Sequence, residues 1–263
     1  THVRGSSCLE VQSHMSDRPP SGLSTTPQGI TFEHIDEGEA ELLYHEIFTH
    51  QSYKPLKRVA TAEPLIVDVG ANIGLFAMWA FQQWPSAKVI CYEPLPPITA
   101  VLQRNLRACC PKRTALLEAV ALGADNTSAN FHYFSDAPGE STRNLEEATA
   151  QRERLKAAAT RFGLLEEHPD MLQGRDTTEE FHCEVRTLSS VLPASCVQFI
   201  GGGADEFPEV DILKVDAEGD EEAVLLGVAE KHWPKIAQVV LEVHAIGGRL
   251  QRIYKLLRRA GYN

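Results

Sequence analysis

The stretch Leu65-Ile-Val-Asp-Val-Gly-Ala-Asn-Ile-Gly-Leu-Phe76 limits the possible folds more than any other part of the chain. Leu65 to Val69 is an apolar, β-branched run of strand length and reads as a buried strand. Gly70, Asn72 and Gly74 interrupt it, and glycine lets a ligand approach the backbone. The chain resumes as an apolar helix, Leu75 to Trp84, stopped by Pro85. Strand, glycine turn and helix in this order place a nucleotide or nucleoside site at the carboxyl edge of a parallel sheet. The three spaced glycines of a dinucleotide fingerprint are missing, and no Lys-Ser/Thr follows as in a phosphate loop. Asp68, at the strand end, would repel a phosphate and suits a ligand carrying an amine and hydroxyls.

A second strand, Lys88-Val-Ile-Cys-Tyr-Glu93, ends in a carboxylate followed by Pro94. Glu93 lies about 20 residues past the glycine turn, the distance at which an acid meets ribose hydroxyls in such folds. Downstream, helix 96–109, strand 115–120, strand 210–215, helix 219–231, strand 237–243 and helix 248–259 continue the alternation expected of a doubly wound, mostly parallel α/β sheet. Residues 129–134 and 181–186 alternate in polarity and are expected to pair as an antiparallel extension. Between them, residues 137–180 form an insertion. It carries a charged, Ala-rich helix from about residue 144 to 167, with Leu155, Ala158 and Phe162 on one stripe. The insertion is either a solvated helical hairpin or a cap over the substrate. Ahead of the core, residues 38–50 place Ala40, Leu43, Tyr44, Ile47 and Phe48 on one apolar helix face. That helix either packs on the sheet or forms a lid, and Tyr53 follows it in a loop as a weaker candidate.

Residues 1–29 read as a disordered arm or tag with a linker, Ser13-His14-Met15 resembling a cloning remnant. Residues 30–263 then form one domain. The 263 residues are 43% hydrophobic and 23% charged, ample for one core. A formal charge of -11 argues against a nucleic-acid partner. No apolar run is long enough to span a membrane as a helix. The six cysteines include no Cys-x-x-Cys pair and read as reduced thiols of a cytoplasmic protein.

In order along the chain come Val-Asp-Val-Gly-Ala-Asn-Ile-Gly, Glu93-Pro94, Ala-Leu-Gly at 121–123, Leu-Lys-Val-Asp-Ala-Glu-Gly at 213–219 and Val-Leu-Glu-Val-His at 240–244. Together they resemble the FkbM family of S-adenosylmethionine-dependent methyltransferases, over roughly residues 30–263. The resemblance implies a Rossmann-like class I methyltransferase fold and S-adenosyl-L-methionine as cofactor. It implies that Asp68, Gly70, Ala71, Asn72 and Gly74 hold the methionine part, with Asp216 also at the cofactor. Glu93 would hold the ribose, with Pro94, Val120 and Ala121 beside the adenine. The acceptor it implies is a hydroxyl of a sugar, polyketide or other secondary metabolite, either a small molecule or tethered to a carrier protein. Methyltransferases of this fold usually continue into two more strands. Only five core strands are counted here, so those C-terminal strands are expected to be missing.

Strands four and five end in Asp216-Ala-Glu218 and Glu242-Val-His244. In a parallel sheet these ends face the same crevice as the glycine turn. If the extended conformation persists, residues two apart point the same way. His244, the one group there that titrates near neutrality, is the candidate general base, with Glu242 as partner. The alternative is a divalent cation held by Asp216, Glu242 and His244, lowering the pKa of the acceptor hydroxyl. A further alternative is a cofactor-binding module without catalysis. Lys214, a charge inside an apolar strand, would pair with one of the acids or reach outward from a strand edge.

Overall fold

The computed structural model describes residues 22–26, 29–109, 114–161, 178–201, 203 and 206–263. The expected arm up to residue 21, Cys8, Cys110, the end of the insertion helix and the stripe of Leu155, Ala158 and Phe162 lie outside the described residues and side chains.

Strand β1 (Gly22–Thr25) pairs antiparallel with β2 (Thr31–His34). Residues 22–25 were expected in a linker; the backbone of β2 gives them a partner. Helix α1 (Glu37–Tyr44) follows, its start capped by the Asp36 carboxylate accepting from the Glu39 N–H at 2.7 Å. A wider turn, His45–Thr49, prolongs it. Ala40 and Ile47 of its apolar face are buried, and Leu43 and Phe48 pack beside them.

The core alternates as the sequence pattern requires. Strand β3 (Leu65–Val69), helix α2 (Leu75–Gln83), β4 (Lys88–Tyr92), α3 (Pro96–Cys109) and β5 (Ala115–Glu118) come first. Strands β6 (Ala121–Leu122) and β7 (Thr127–Phe134), a tight turn at Pro138–Glu140, α4 (Leu145–Arg161) and β8 (Thr178–Arg186) follow. Helix α5 (Leu188–Phe199), β9 (Ile212–Val215), α6 (Glu221–Leu226), β10 (Val239–Leu241) and α7 (Arg249–Arg259) complete the series.

Five strands form one parallel sheet in the order β10-β9-β3-β4-β5. Alternate side chains enter two apolar layers. Ile66, Val89, Cys91 and Ile212 meet α2 and α3 on one face. Val67, Val69, Ile90, Tyr92, Leu213 and Val215 meet α5, α6 and α7 on the other. Strand β7 pairs antiparallel with β8, Phe131 opposite Phe181, as expected. With β6 they make a separate three-stranded sheet and do not extend the main one. Strand β3 has β4 on one side and β9 on the other, so the strand order reverses there. A crevice opens at the carboxyl ends of neighbouring strands at such a point.

Candidate active site

The two chain ends flanking the crevice cross at very short range. Gly70 leaves β3 with φ +68°, and a Cβ on it would lie 1.7 Å from the Asp216 carbonyl oxygen. Only glycine fits there. The N–H groups of Gly70 and Ala71 donate to the Tyr92 carbonyl at 3.0 and 3.2 Å, tying the turn to β4. Asn72, also at positive φ, donates its N–H to Glu93 Oε2 at 3.2 Å, and the Leu95 N–H donates to Oε1 at 3.2 Å. The Glu93 carboxyl is thus held where the turn and the second strand meet. Burial pushes it up to about 7.

Asp68 and Lys214 lie opposite each other in β3 and β9, both buried. Lys214 Nζ is 3.2 Å from Asp68 Oδ1 and 3.6 Å from Asp216 Oδ2. It donates to the carbonyls of Gly70 at 2.8 Å and Val69 at 3.3 Å. Burial works to lower the ammonium's pKa, but Asp68 and Asp216 outweigh it and raise it. Lys214 is therefore a charged staple under the glycine turn, and Asp68 is its counter-ion. The strand-edge alternative for Lys214 is excluded by its burial.

Above this floor lies a cavity of about 630 Å³, within the range of small-molecule sites. Gly70, Asn72, Glu93, Pro94, Val120, Ala121, Asp216 and Glu242 line it, so these residues, far apart in sequence, meet around one space. Asp68, Ala71, Gly74 and His244 do not line it: Asp68 and Ala71 are buried beneath, Gly74 starts α2, and His244 stands behind Glu218. Glu39 and Glu46 from the first helical segment, and residues 136–141 at the start of the insertion, close the other side. No lysine or arginine lines the cavity among the described residues. Such a wall favours cationic or neutral ligands and repels phosphates.

At the strand-four and strand-five end, the Tyr53 hydroxyl lies 3.0 Å from Asp216 Oδ2 and 2.8 Å from Glu242 Oε2. A phenol has one proton to donate, so it holds the two carboxylates on a shared hydrogen. Burial and the two carboxylates raise its pKa, which fixes it as a donor. Burial, then Glu242 and Asp216, raise Glu46 as well.

His244 turns away from Glu242. Its Nδ1 is 3.1 Å from Glu221 Oε1 and its Nε2 is 3.3 Å from Glu218 Oε2. The partner expected at Glu242 is replaced because β10 stops at Leu241, so the two-residue alternation has ended before position 244. The hydrogen bond to Glu221 and the negative charge of Glu218 push the ring up to about 9. Burial, then the Asp216 carboxylate, raise Glu218, while His244 lowers it. The metal alternative fares poorly on the same geometry: Asp216 and Glu242 share Tyr53, and His244 faces other acids. Among the described residues, no three His, Cys, Asp or Glu side chains are grouped to hold an ion.

The residues illegible in the sequence were Glu39, Glu46, Glu221 and the 138–140 turn. Each reaches the site through the fold, with no local spacing to mark it.

The sequence profile of the Methyltransferase FkbM domain matches residues 68–263. The chain belongs to the FkbM methyltransferase family. It is 33% identical over 240 residues to 31-O-demethyl-FK506 methyltransferase FkbM of Streptomyces tacrolimicus, covering 90% of this chain and 86% of that one. Methyltransferase sdnD of Sordaria araneosa is 32% identical over 246 residues, covering 89% and 86%. The AMB antimetabolite synthetase AmbE of Pseudomonas aeruginosa is 30% identical over 254 residues, 90% of this chain but 11% of the synthetase. This FkbM methyltransferase therefore matches free-standing relatives over most of their length and one segment of a much larger enzyme. No helix among its described residues is long and apolar enough to cross a membrane.

Proposed function

We propose that the protein is an S-adenosylmethionine-dependent O-methyltransferase acting on a hydroxyl of a secondary metabolite, as a small molecule or tethered to a carrier protein. The observation that carries this reading is the crossing of Gly70 and Asp216 beside Glu93, at the point where the strand order reverses. The fit to the cofactor rests on three features. The close backbone crossing leaves a cradle at the glycine turn, Glu93 stands ready for two hydroxyls, and the acid-lined wall suits a ligand bearing an ammonium and a sulfonium. When bound, the cofactor supplies an activated methyl group. In the proposed arrangement Gly70, Asn72 and Asp216 hold its methionine end, and Glu93 its ribose. Pro94, Val120 and Ala121 flank the adenine.

The acceptor hydroxyl must lose a proton. At neutral pH the His244 ring is protonated, so the receiving atom in this proposal is a Glu218 carboxylate oxygen on the cavity wall, with His244 holding it from behind. A carboxyl whose pKa is raised is the stronger base near neutrality. Tyr53 spaces Asp216 and Glu242 along the same wall. The names of the relatives favour a secondary-metabolite acceptor, and the synthetase match favours a tethered one.

Calorimetric titration of S-adenosylhomocysteine into the protein tests the cofactor assignment. Micromolar binding that Glu93→Ala weakens by roughly 10- to 100-fold, the worth of hydrogen bonds to a charged group, is expected. Absence of binding would sink the proposal. Comparing a free acceptor with its carrier-bound form tests the tether: equal rates would remove it.

A further inference from the structure

The proposed arrangement already sets one acid, Asp216, at the cofactor's methionine end, but its Oδ2 is shared with the Tyr53 hydroxyl and lies 3.6 Å from Lys214 Nζ. The cofactor's methionine end carries an ammonium, and Asp68, the acid that the sequence offers for it, is buried against Lys214 and absent from the cavity wall. A different acid stands over the turn. Glu39, in the first turn of α1, lines the cavity. Its Oε1 accepts from Asn72 Nδ2 at 3.4 Å, and a Cβ on Gly139 would come within 2.2 Å of the same atom. Three separate segments therefore converge on one carboxyl: the helix before the core, the glycine turn and the start of the insertion. Its other oxygen, Oε2, is buried with no hydrogen-bond partner among the described residues.

We infer that Glu39 binds the ammonium of the cofactor's methionine end, taking the place that Asp68 has given up to Lys214. The inference rests on the cofactor assignment above. An ammonium offers three donors. One directed at Oε2 would satisfy an oxygen that is otherwise buried and unpaired, with Asn72 retaining Oε1. Asp36 and Glu140 also face Glu39, so the neighbourhood is negative, and burial together with these charges pushes Glu39 up to about 7. A bound cation returns it to the carboxylate form. In this arrangement the helix ahead of the core is a working wall of the cofactor site.

Two ligands separate this role from all others: S-adenosylhomocysteine, which carries the ammonium, and methylthioadenosine, which keeps the adenosine and thioether but has no amino acid. Isothermal titration of both into wild type and Glu39→Gln is the experiment. The expected result is a loss of roughly 10- to 100-fold for S-adenosylhomocysteine, as for a hydrogen bond between charged groups, with methylthioadenosine bound as by wild type. The unchanged second affinity also shows that the variant is folded. Glu39→Asp, which keeps the charge, should lose less than Glu39→Gln. Equal affinity of wild type and Glu39→Gln for S-adenosylhomocysteine would overturn the inference alone. Equal losses for both ligands would place Glu39 at the nucleoside and overturn it too. If wild type binds neither ligand, the cofactor assignment falls and the inference falls with it.

Discussion

Asp68 and Glu39 are two acids on either side of the same glycine turn, and the fold treats them in opposite ways. Asp68 lies in a strand, fully buried, and is matched by an ammonium from the neighbouring strand. Glu39 lies in a helix outside the sheet and is matched only by an amide and a close backbone. The first arrangement shapes the turn from below and leaves no charge over. The second sets a carboxyl on the cavity wall with no lysine or arginine beside it among the described residues. A charge within a sheet serves the fold, because desolvation makes an unmatched one costly. A charge on a covering segment can stay partly open until a ligand completes it.

The sharpest way to break the comparison is at the floor. Lys214→Met leaves Asp68 buried and unpaired, and should cost about 3–5 kcal/mol in urea denaturation. Adding Asp68→Asn should recover part of that loss. If the single variant is as stable as wild type, Asp68 is not held by Lys214. A smaller effect is expected midway, where Tyr53 bridges the strand ends. Tyr53→Phe removes a hydrogen bond to a charged group worth about 1.5–3 kcal/mol. Because Tyr53 holds both Asp216, set at the cofactor's methionine end, and Glu242, the loss should appear in kcat and in affinity for S-adenosylhomocysteine alike. An unchanged kcat would deny the bridge any part in catalysis.

The least drastic test concerns the open side. His244 lowers the pKa of Glu218, so His244→Ala should raise it. If Glu218 takes the proton, methyl transfer increases with pH as Glu218 ionises. In the variant that rise should move to higher pH. A profile that stays in place would uncouple the two residues. His244 also marks stability: a ring raised to about 9 by its acids stabilises the fold fully below its ordinary value, and that contribution is lost as pH rises through about 9.

The floor and the wall built from the strand ends were legible in the sequence, and the opposite wall, from Glu39, Glu46 and the 138–140 turn, was not. A strand buried on both faces must be apolar, so Leu65 to Val69 and Lys88 to Tyr92 announced themselves, and glycines at a strand end marked the turn. Lys214 was visible as a charge out of phase with its strand. Tyr53 was named as a weaker candidate, but its partners were not legible, since they lie 163 and 189 residues away and only the folded sheet brings them near. The pairing of His244 with Glu242 assumed that strand geometry continues past Leu241. The strand ends there, and Glu221, from the next helix back, receives the ring. Residues 22–25 carried turn-like composition and became a strand because a partner backbone was available.

The Lys214 staple also sets an order of events during synthesis. Its amine meets the carbonyl of Gly70 across 144 residues of chain, and Asp216 must arrive to pin the same glycine from the other side. A nascent polypeptide that has left the ribosome only as far as β5 holds the first strands and the glycine turn but lacks their clamp. The cofactor cradle is therefore finished late, when β9 slots in beside β3. Until then the half-made domain has a crevice with only one bank.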